Sequence, residues 1–315
     1  MFKKILMFTA LFAVCAMTQA QKQRINVKTF TGSESVSAEN VEKVRAAVIS
    51  AVNASQRFDL LDDAAWASIE EELVRRSSEE AVNDAEARKA LIAIKANNFL
   101  MTGNVASLEI KKEEKEGKIF YAAALNYSVS VTDVAGNKTV ATKSFSRETA
   151  NVSVGGGSIA GLADAVLNND TPEKAVNEVL TTIDGDIKKF FEEEFPLLAT
   201  IYGEDFEIKK DKLVQCYISI GTNSGVFNGQ MFDIFEVKIK VGKETKSKIG
   251  SLKIVQADED IALGKVTKGD KEVKLAMDRY LENKAVDENA TPLIVISRPK
   301  KDPLGLGGMA NGLGL

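Results

Sequence analysis

Residues 119–131 read IFYAAALNYSVSV, and Tyr121, Ala123, Leu125, Tyr127, Val129 and Val131 all fall on one side of an extended chain. Successive side chains of a strand point to opposite faces, so a period of two over this length demands a long strand with one covered face. NFLMTGNVASLEI (98–110) precedes it across KKEEKEGK, and TVATKSFSRE (139–148) follows across DVAGNK. Three such segments in succession predict an antiparallel meander with one face on a helical layer.

The flanking sequence supplies that layer. A short strand, RINVKTF (24–30), leads into residues 38–54, where Val41, Val44, Val48 and Val52 share a helical face. Ser37 is placed to cap this helix and Glu39 sits in its first turn. RFDLLD (57–62) reads as a second strand. DDAAWASIEEELVRR then reads as a helix on Trp66, Ile69 and Leu73, and a further helix is expected from about Asp84 to Ala96. Thr171-Pro172 opens another, with Thr capping and Pro at its first position. Its apolar stripe is Val176, Val179, Leu180, Ile183, Ile187, Phe190 and Phe191, and Pro196 stops it.

From about residue 204 the pattern changes to short strands with glycine turns: EDFEIKK, LVQCYISI, MFDIFEVKIKV, KIGSLKIVQ, IALGKVTKG and TPLIVISRP. Gly221, Gly225 and Gly229 lie between two alternating runs, which predicts a small all-β barrel, with a helix over 272–286 inserted before the last strand. The tail DPLGLGGMANGLGL lacks the bulk for a core and reads as disordered. The fold class is therefore α+β: a mixed or antiparallel sheet packed with helices, then a small barrel. The expected organisation is a leader over 1–20, an α/β domain over 21–200, a β domain over 201–300 and a glycine-rich tail over 301–315.

The leader reading rests on Lys3 and Lys4, an apolar stretch from Ile5 to about Met17, and small residues before a cut between Ala20 and Gln21. The stretch is shorter than the ~20 residues a spanning helix needs. Cys15 is the alternative, as a lipid-anchor cysteine. The bacterial lipobox wants Leu near −3 and Gly or Ala at −1, whereas Phe12-Ala13-Val14 precede it, so simple cleavage is the reading taken. The product is expected in the periplasm or at the outer membrane. Cleavage leaves Cys216 alone, on an alternating strand, which excludes an intrachain disulfide and reads as a small buried hydrophobe.

The 315 residues include no histidine, which removes Ser-His-Asp and Cys-His chemistry and nearly all catalytic zinc sites. Asp62/Asp63 and Glu70/Glu71/Glu72 are acidic pairs beside basic residues on helices, and read as solvated faces. No catalytic residue, metal site or cofactor is expected. A net charge of −4 with scattered Lys and Arg gives no nucleic-acid footprint.

One motif does invite a cofactor. Residues 153–167 read SVGGGSIAGLADAVL, and Gly155-x-Gly157-x-x-x-Gly161 is close to the nicotinamide fingerprint. That site needs its glycines straight after a first parallel strand, and an acidic residue about twenty residues on, at the end of a second strand. Here a helix follows and no strand does. Gly155, Gly156, Gly157 and Gly161 are read instead as a connecting loop and a candidate partner-binding segment, since loops carry contacts more often than cores do.

The order of these segments resembles the CsgG superfamily. Its pattern runs V-x-x-F, a helix, S-x-R-F-x-L-L/V, I-x-x-E, A-x-x-L-x-G-x-V, and a strand ending V-T-D/N-x-x-T-G. The matching residues are Phe30, Ser55, Arg57, Phe58, Leu60, Leu61, Ile69, Glu72, Ala96, Leu100, Gly103, Val105, Val131, Asp133 and Gly136, within roughly 24–196. The resemblance implies an α/β domain like the amino-terminal domain of TolB and the penicillin-binding-protein activator LpoB. The second domain looks like the SH3-like barrel that ends the flagellar periplasmic protein FlgT, on G-x-x-x-G-V-x-x-G-x-x-F-x-I-F. CsgG itself is an outer-membrane secretion channel, and the sequence departs from it where the channel is made. The first membrane hairpin would fall between Gly103 and Tyr127, where KKEEKEGK stands. A basic residue costs ~2–4 kcal/mol at the bilayer midplane on the lipid face of a barrel. The second would fall between Phe145 and Thr171, where no pair of crossing strands can be drawn and the glycine loop is a shortened connection.

The expectation is a non-catalytic exported envelope factor, acting by protein–protein contact in secretion or cell-surface assembly, with envelope or secretion-system proteins as partners and a ring of its own copies as a possible form. A CsgG-type channel subunit for curli-like export is the alternative, and a carboxylate-based periplasmic hydrolase a third.

Overall fold

The alternation of 119–131 becomes burial. Ala123, Leu125, Tyr127, Val129 and Val131 are all 2% exposed or less, whereas the residues between them are only half-buried. A computed structural model describes residues 22–76, 98–115, 118–134, 137–149, 169–240, 243–287 and 290–299. The expected cleavage site at Ala20 and Gln21, Cys15, the helix expected over 84–96, Gly155, Gly156, Gly157 and Gly161, and the tail lie outside the described residues. So do Ala96 and Gly136 of the resemblance.

The chain divides into two units, Lys22–Phe190 and Phe191–Leu315. The first contains β1 (Gln23–Val27), β2 (Thr31–Gly32), α1 (Ala38–Ala54), β3 (Phe58–Leu61), α2 (Asp63–Arg76), β4 (Asn98–Lys115), β5 (Lys118–Asp133), β6 (Lys138–Glu148) and most of α3 (Pro172–Glu194). The sheet order is β3-β1-β4-β5-β6, with β2 against β4. β1 runs parallel to β3 and β4, and β4, β5 and β6 form the antiparallel meander.

Directly paired residues share a face. Met101 pairs with Val131, Val105 with Tyr127, Tyr127 with Phe145 and Val131 with Ala141, which collects the buried residues on one side. The other side carries Thr102, Asn104, Ser128, Ser130, Thr142 and Ser144, with the Ser130 and Thr142 hydroxyls 3.0 Å apart. The sheet is dry on one face and wet on the other, as the sequence pattern predicts.

The helices form where their caps and stripes place them. Ser37 is extended (φ −61, ψ 147) and its hydroxyl accepts from the Asn40 amide, while Val41, Val44, Val48, Ala51 and Val52 are buried. Gln56, at φ 55, turns the chain out of α1. Thr171 Oγ1 accepts from the Lys174 amide at the start of α3. Ala175, Val176, Val179, Ile183, Ile187, Phe190 and Phe191 are then buried, each large side chain contributing about 1.5–3 kcal/mol. Two residues carried by the resemblance meet in this unit. A Cβ on Gly103 would stand 2.3 Å from the ring of buried Phe30, so the glycine is where the ring passes over the sheet.

The second unit contains β7 (Leu198–Thr200), β8 (Glu207–Lys209), β9 (Lys212–Ile218), a single 3-10 turn (Thr222–Ser224), β10 (Met231–Lys240), β11 (Lys243–Ala257), β12 (Ala262–Lys268), α4 (Asp270–Val286) and β13 (Ile294–Ser297). Every pairing is antiparallel, in the order β7-β13-β10-β11-β12-β9-β8. Its core is built on Ile201, Leu213, Cys216, Ile218, Phe232, Ile234, Leu252, Ile254 and Val295, joined by Val273, Ala276 and Met277 of α4. Gly269, at φ 73, begins α4 where a Cβ would stand 2.0 Å from the Ile249 carbonyl.

The strands are not closed into the SH3-like barrel expected. The sheet is an open path from β7 to β8, and a single bridge, Ile201 to Ile218, ties its two ends together. The physical reason is that β8 already occupies the outer edge of β9 over Lys212–Gln215, which leaves room for one bridge beyond it. The protein is thus α+β, with four α-helices and two sheets among the described residues.

Two outcomes check this packing. Gly103→Ala is expected to cost about 1–3 kcal/mol by urea unfolding, as overpacking does, with part of the loss recovered when Phe30→Leu is added. Burial pushes the Cys216 thiol up to about 12, so iodoacetamide at neutral pH is expected to label it only after denaturation.

Candidate functional site

A buried and densely wired polar group of the first unit lies on the apolar face of α3. Asp186 is 2% exposed and follows Ile183 by three residues, on the stripe that should be wholly hydrophobic. Its carboxylate is fully engaged. Tyr127 Oη of β5 donates to Oδ2 at 3.0 Å, and Arg147 Nε of β6 donates to Oδ1 and Oδ2 at 2.9 and 3.0 Å. The Arg147 terminal nitrogen donates to Oδ1 as well, which makes the pair a two-pronged one. Tyr127 also stacks on Phe145, ring centroids 4.9 Å apart.

This arrangement holds protons still. Burial, then the charge and hydrogen bond of Asp186, drive the Tyr127 phenol far above its ordinary value, against the opposing charge of Arg147. The hydrogen bond to Asp186 raises Arg147 as well, outweighing its partial burial. Tyrosine stays neutral and arginine charged at any working pH. The cluster fastens a helix to a sheet, and it offers neither a free base nor a free acid.

Three surfaces are shaped for contact. The first is the outer edge of β6. Among the described residues this eleven-residue strand has a partner on one side only, β5, and it carries exposed Val140 and the charged Lys138, Arg147 and Glu148. The second is a cleft of about 380 Å³ in the second unit, lined by Glu192, Phe227, Gly229, Gln230, Met231, Arg298 and Pro299. Arg298 reaches Asp233 and the Ser251 hydroxyl, and Lys248 Nζ stands 2.7 Å from the same Asp233 carboxylate. Burial pushes the Asp233 carboxyl up, but Arg298 and Lys248 together outweigh it and hold the group below the usual carboxylate range. The third is a recess of about 530 Å³ lined by Tyr202, Glu204, Asp205, Tyr217 and Ile261.

Of the acidic residues singled out in the sequence, Asp62, Asp63 and Glu70 lie apart from these surfaces and go to structural work. Asp63 accepts from Asn26 and Arg45, and Glu70 accepts from Lys28 and the Trp66 indole. Asp186, Arg147 and Gln230 went unnoticed in the sequence. The one available signal was a charge inside an otherwise apolar stripe, at position 186. Among the described residues no helix is long and apolar enough to cross a membrane, and no three His, Cys, Asp or Glu side chains converge as metal ligands.

No family model matches the chain, and no curated protein matches it. Similar solved structures include the hypothetical protein CT253 from Chlamydia trachomatis, at 13% identity, covering 54% of this chain and 97% of that one with a TM-score of 0.31. They include the lipoprotein GNA1162 from Neisseria meningitidis, at 17% identity, 46% and 96% coverage and a TM-score of 0.25. The LpoB C-terminal domain from Salmonella enterica is similar at 8% identity, 40% and 82% coverage and a TM-score of 0.24. With TM-scores of 0.31 and below, none of them decides the fold or the function of this chain.

The Tyr127 cluster has a pH signature. Its phenol is raised in the folded protein, so the stability it contributes is complete below the unfolded value near 10 and declines as pH rises above it. Between pH ~10 and ~11, the unfolding free energy of the parent protein is expected to fall about 1 kcal/mol further than that of Tyr127→Phe. Parallel urea titrations of the two proteins at both pH values check this. Equal declines would place the phenol in water.

Proposed function

We propose that the protein is a non-catalytic exported factor of the cell envelope that works by binding other proteins, in secretion or cell-surface assembly. The observation that carries this reading is the outer edge of β6, open among the described residues. An eleven-residue strand with one flank unpaired presents a row of backbone donors and acceptors, and natural proteins either blunt such an edge or use it. Charged Lys138 and Arg147 guard it against indiscriminate pairing without shortening it. A partner strand laid along β6 gains main-chain hydrogen bonds, with side chains at alternate positions giving selectivity. The resemblance of residues 24–196 to the CsgG superfamily supports the envelope setting.

The partner strand belongs to an envelope protein or to a second copy of this chain. A photo-reactive amino acid at exposed Ser146 of β6, with exposed Glu42 of α1 as control, distinguishes the two in living cells. Discrete adducts at 146 that are absent at 42 are expected, of dimer mass for self-association and of another mass for an envelope partner. Identical background at both positions would overturn the reading. Release of the protein by osmotic shock without detergent is also expected, whereas a channel subunit would stay with the membrane.

A further inference from the structure

The far half of β4 has a flank that its own sheet leaves unused. β1 pairs with β4 over Asn98–Met101 and β2 pairs with it at Asn104 and Val105. The last bond on that side runs from Ser33 Oγ to the Ala106 carbonyl. β4 continues to Lys115, with β5 on its other side throughout. Over 107–115 the first flank has no partner strand among the described residues, and Glu109, Ile110, Lys111, Lys112 and Glu114 are exposed there.

The bonding of β5 shows which backbone groups face that flank. On the side of β5 away from β4, the Tyr121 amide donates to the Asn169 carbonyl and the Ala123 amide to Thr149 Oγ1, while the Ala123 carbonyl accepts from the Thr149 amide. The residues opposite them on β4 are Lys112 and Ile110. These are therefore non-hydrogen-bonded pairs of the β4–β5 ladder, and Lys112 and Ile110 turn their own donors and acceptors outward. Glu114, two residues on, does the same. The free flank of β4 presents a row of unused backbone groups.

Charged side chains are a usual means of keeping such an edge from pairing. Here their order fails to exclude one partner. Positions 109, 111, 113 and 115 share a face and read Glu, Lys, Glu, Lys. Taken in reverse they read Lys, Glu, Lys, Glu. Across the ladder β5 sets Ala124, Ala122, Phe120 and Lys118 against them, so no opposite charge on β5 answers them.

Two antiparallel copies of one strand related by a two-fold axis place one residue opposite itself. With Lys112 in that place, Glu109 stands opposite Lys115 of the other copy and Lys111 opposite its Glu113. The outward-facing 110, 112 and 114 then form the hydrogen-bonded pairs. The alternating charges fall at the non-hydrogen-bonded pairs, where side chains come closest. Moving the axis to 111 or 113 sets Glu against Glu and Lys against Lys. The single like pair, Lys112 on itself, lies on the other face, with Glu114 of each copy diagonal to it. Pairing through 109–115 also stops short of β2, whose contacts end at Ala106.

We infer that residues 109–115 of β4 join two copies of this chain, in an antiparallel pairing of like strands centred on Lys112 that makes two sheets continuous. This goes beyond the reading of β6 and concerns a different strand. The backbone supplies the bonding and the opposed charges select the copy. A contact of this symmetry closes at two chains.

Sedimentation equilibrium of the full exported chain tests it. The parent protein is expected to form a reversible dimer whose dissociation constant rises about tenfold or more between about 0.05 and 1 M sodium chloride, because exposed charges are screened. Lys111→Glu with Lys115→Glu makes the face wholly acidic, and Glu109→Lys with Glu113→Lys makes it wholly basic. Each double variant alone is expected to dimerise about tenfold or more weakly, and an equimolar mixture to recover a dimer containing one of each. Recovery on mixing requires both variants to be folded, so it separates lost charge pairing from lost structure.

A parent chain that stays monomeric up to on the order of 1 mM would overturn the inference, by leaving the flank to another segment or another protein. So would a dimer that both variants keep, which would place the interface elsewhere, or a mixture that associates no better than its components. Cross-links from Ser146 of β6 are read separately, so the two edges can fail independently.

Discussion

A carboxylate inside a hydrophobic interface is the constraint around which the first unit is organised. Asp186 sits among Ile183, Ile187 and Phe190 on α3, and an isolated charge there would cost several kcal/mol. The fold meets that cost with two residues from two strands. Tyr127 comes from the centre of β5 and Arg147 from the end of β6, and both reach the same carboxylate. An apolar stripe of valines, isoleucines and phenylalanines does not by itself distinguish one helical turn from the next. A two-pronged ion pair with a third hydrogen bond does, because it is satisfied in one register only. Hydrophobic burial thus holds α3 to the sheet, and Asp186 decides where along the sheet it lies.

The second unit solves a different problem. Its helix α4 gives the core only Val273, Ala276 and Met277, and its antiparallel strands curl until Ile201 meets Ile218. Glycine makes the close approaches possible. A Cβ on Gly221 would meet the Asp258 carbonyl at 2.1 Å, and one on Gly250 would meet Val273 of α4 at 2.6 Å. Tight turns leave little side-chain bulk to cover the ends of the sheet. The aromatic and apolar groups there, Phe227 and Tyr202, consequently stay at the surface.

What could be read from the sequence were the elements whose cause is local. Period two gave β5, the Ser37 cap and valine stripe gave α1, and Thr171-Pro172 gave the start of α3. The charged run KKEEKEGK reads as a loop, yet β4 and β5 stay paired as far as Lys115 and Lys118. A two-stranded ladder is held by backbone hydrogen bonds and tolerates charged side chains on both faces, so polarity was a poor guide to its end. β7 has three residues, too few for any period to show. Barrel closure was illegible because it depends on which strand takes the free edge of β9. Asp186 shows in the sequence only as a charge inside an apolar stripe. Its partners lie 59 and 39 residues away in sequence, so only the folded meander brings them to it. Gln230 is hidden for the same reason, since its burial is made by residues it does not adjoin in sequence.

Arg147 connects the core of the first unit to its edge. Its side chain is 45% exposed, on the last residues of the outermost strand, while its guanidinium is committed to Asp186. Moving β6 away from β5 would therefore withdraw the cation that neutralises a buried carboxylate and would leave it, among the described residues, with the Tyr127 hydroxyl alone. The penalty for a lost partner in such a pair is about 3–5 kcal/mol, a large part of the stability of an ordinary domain. An edge strand anchored in this way is held on β5 although one flank has no strand beside it among the described residues. That is the property a docking edge needs: the row of donors and acceptors is held in place before any partner arrives, so less ordering remains to be done on binding. The ion pair that fixes the helix also keeps the edge ready.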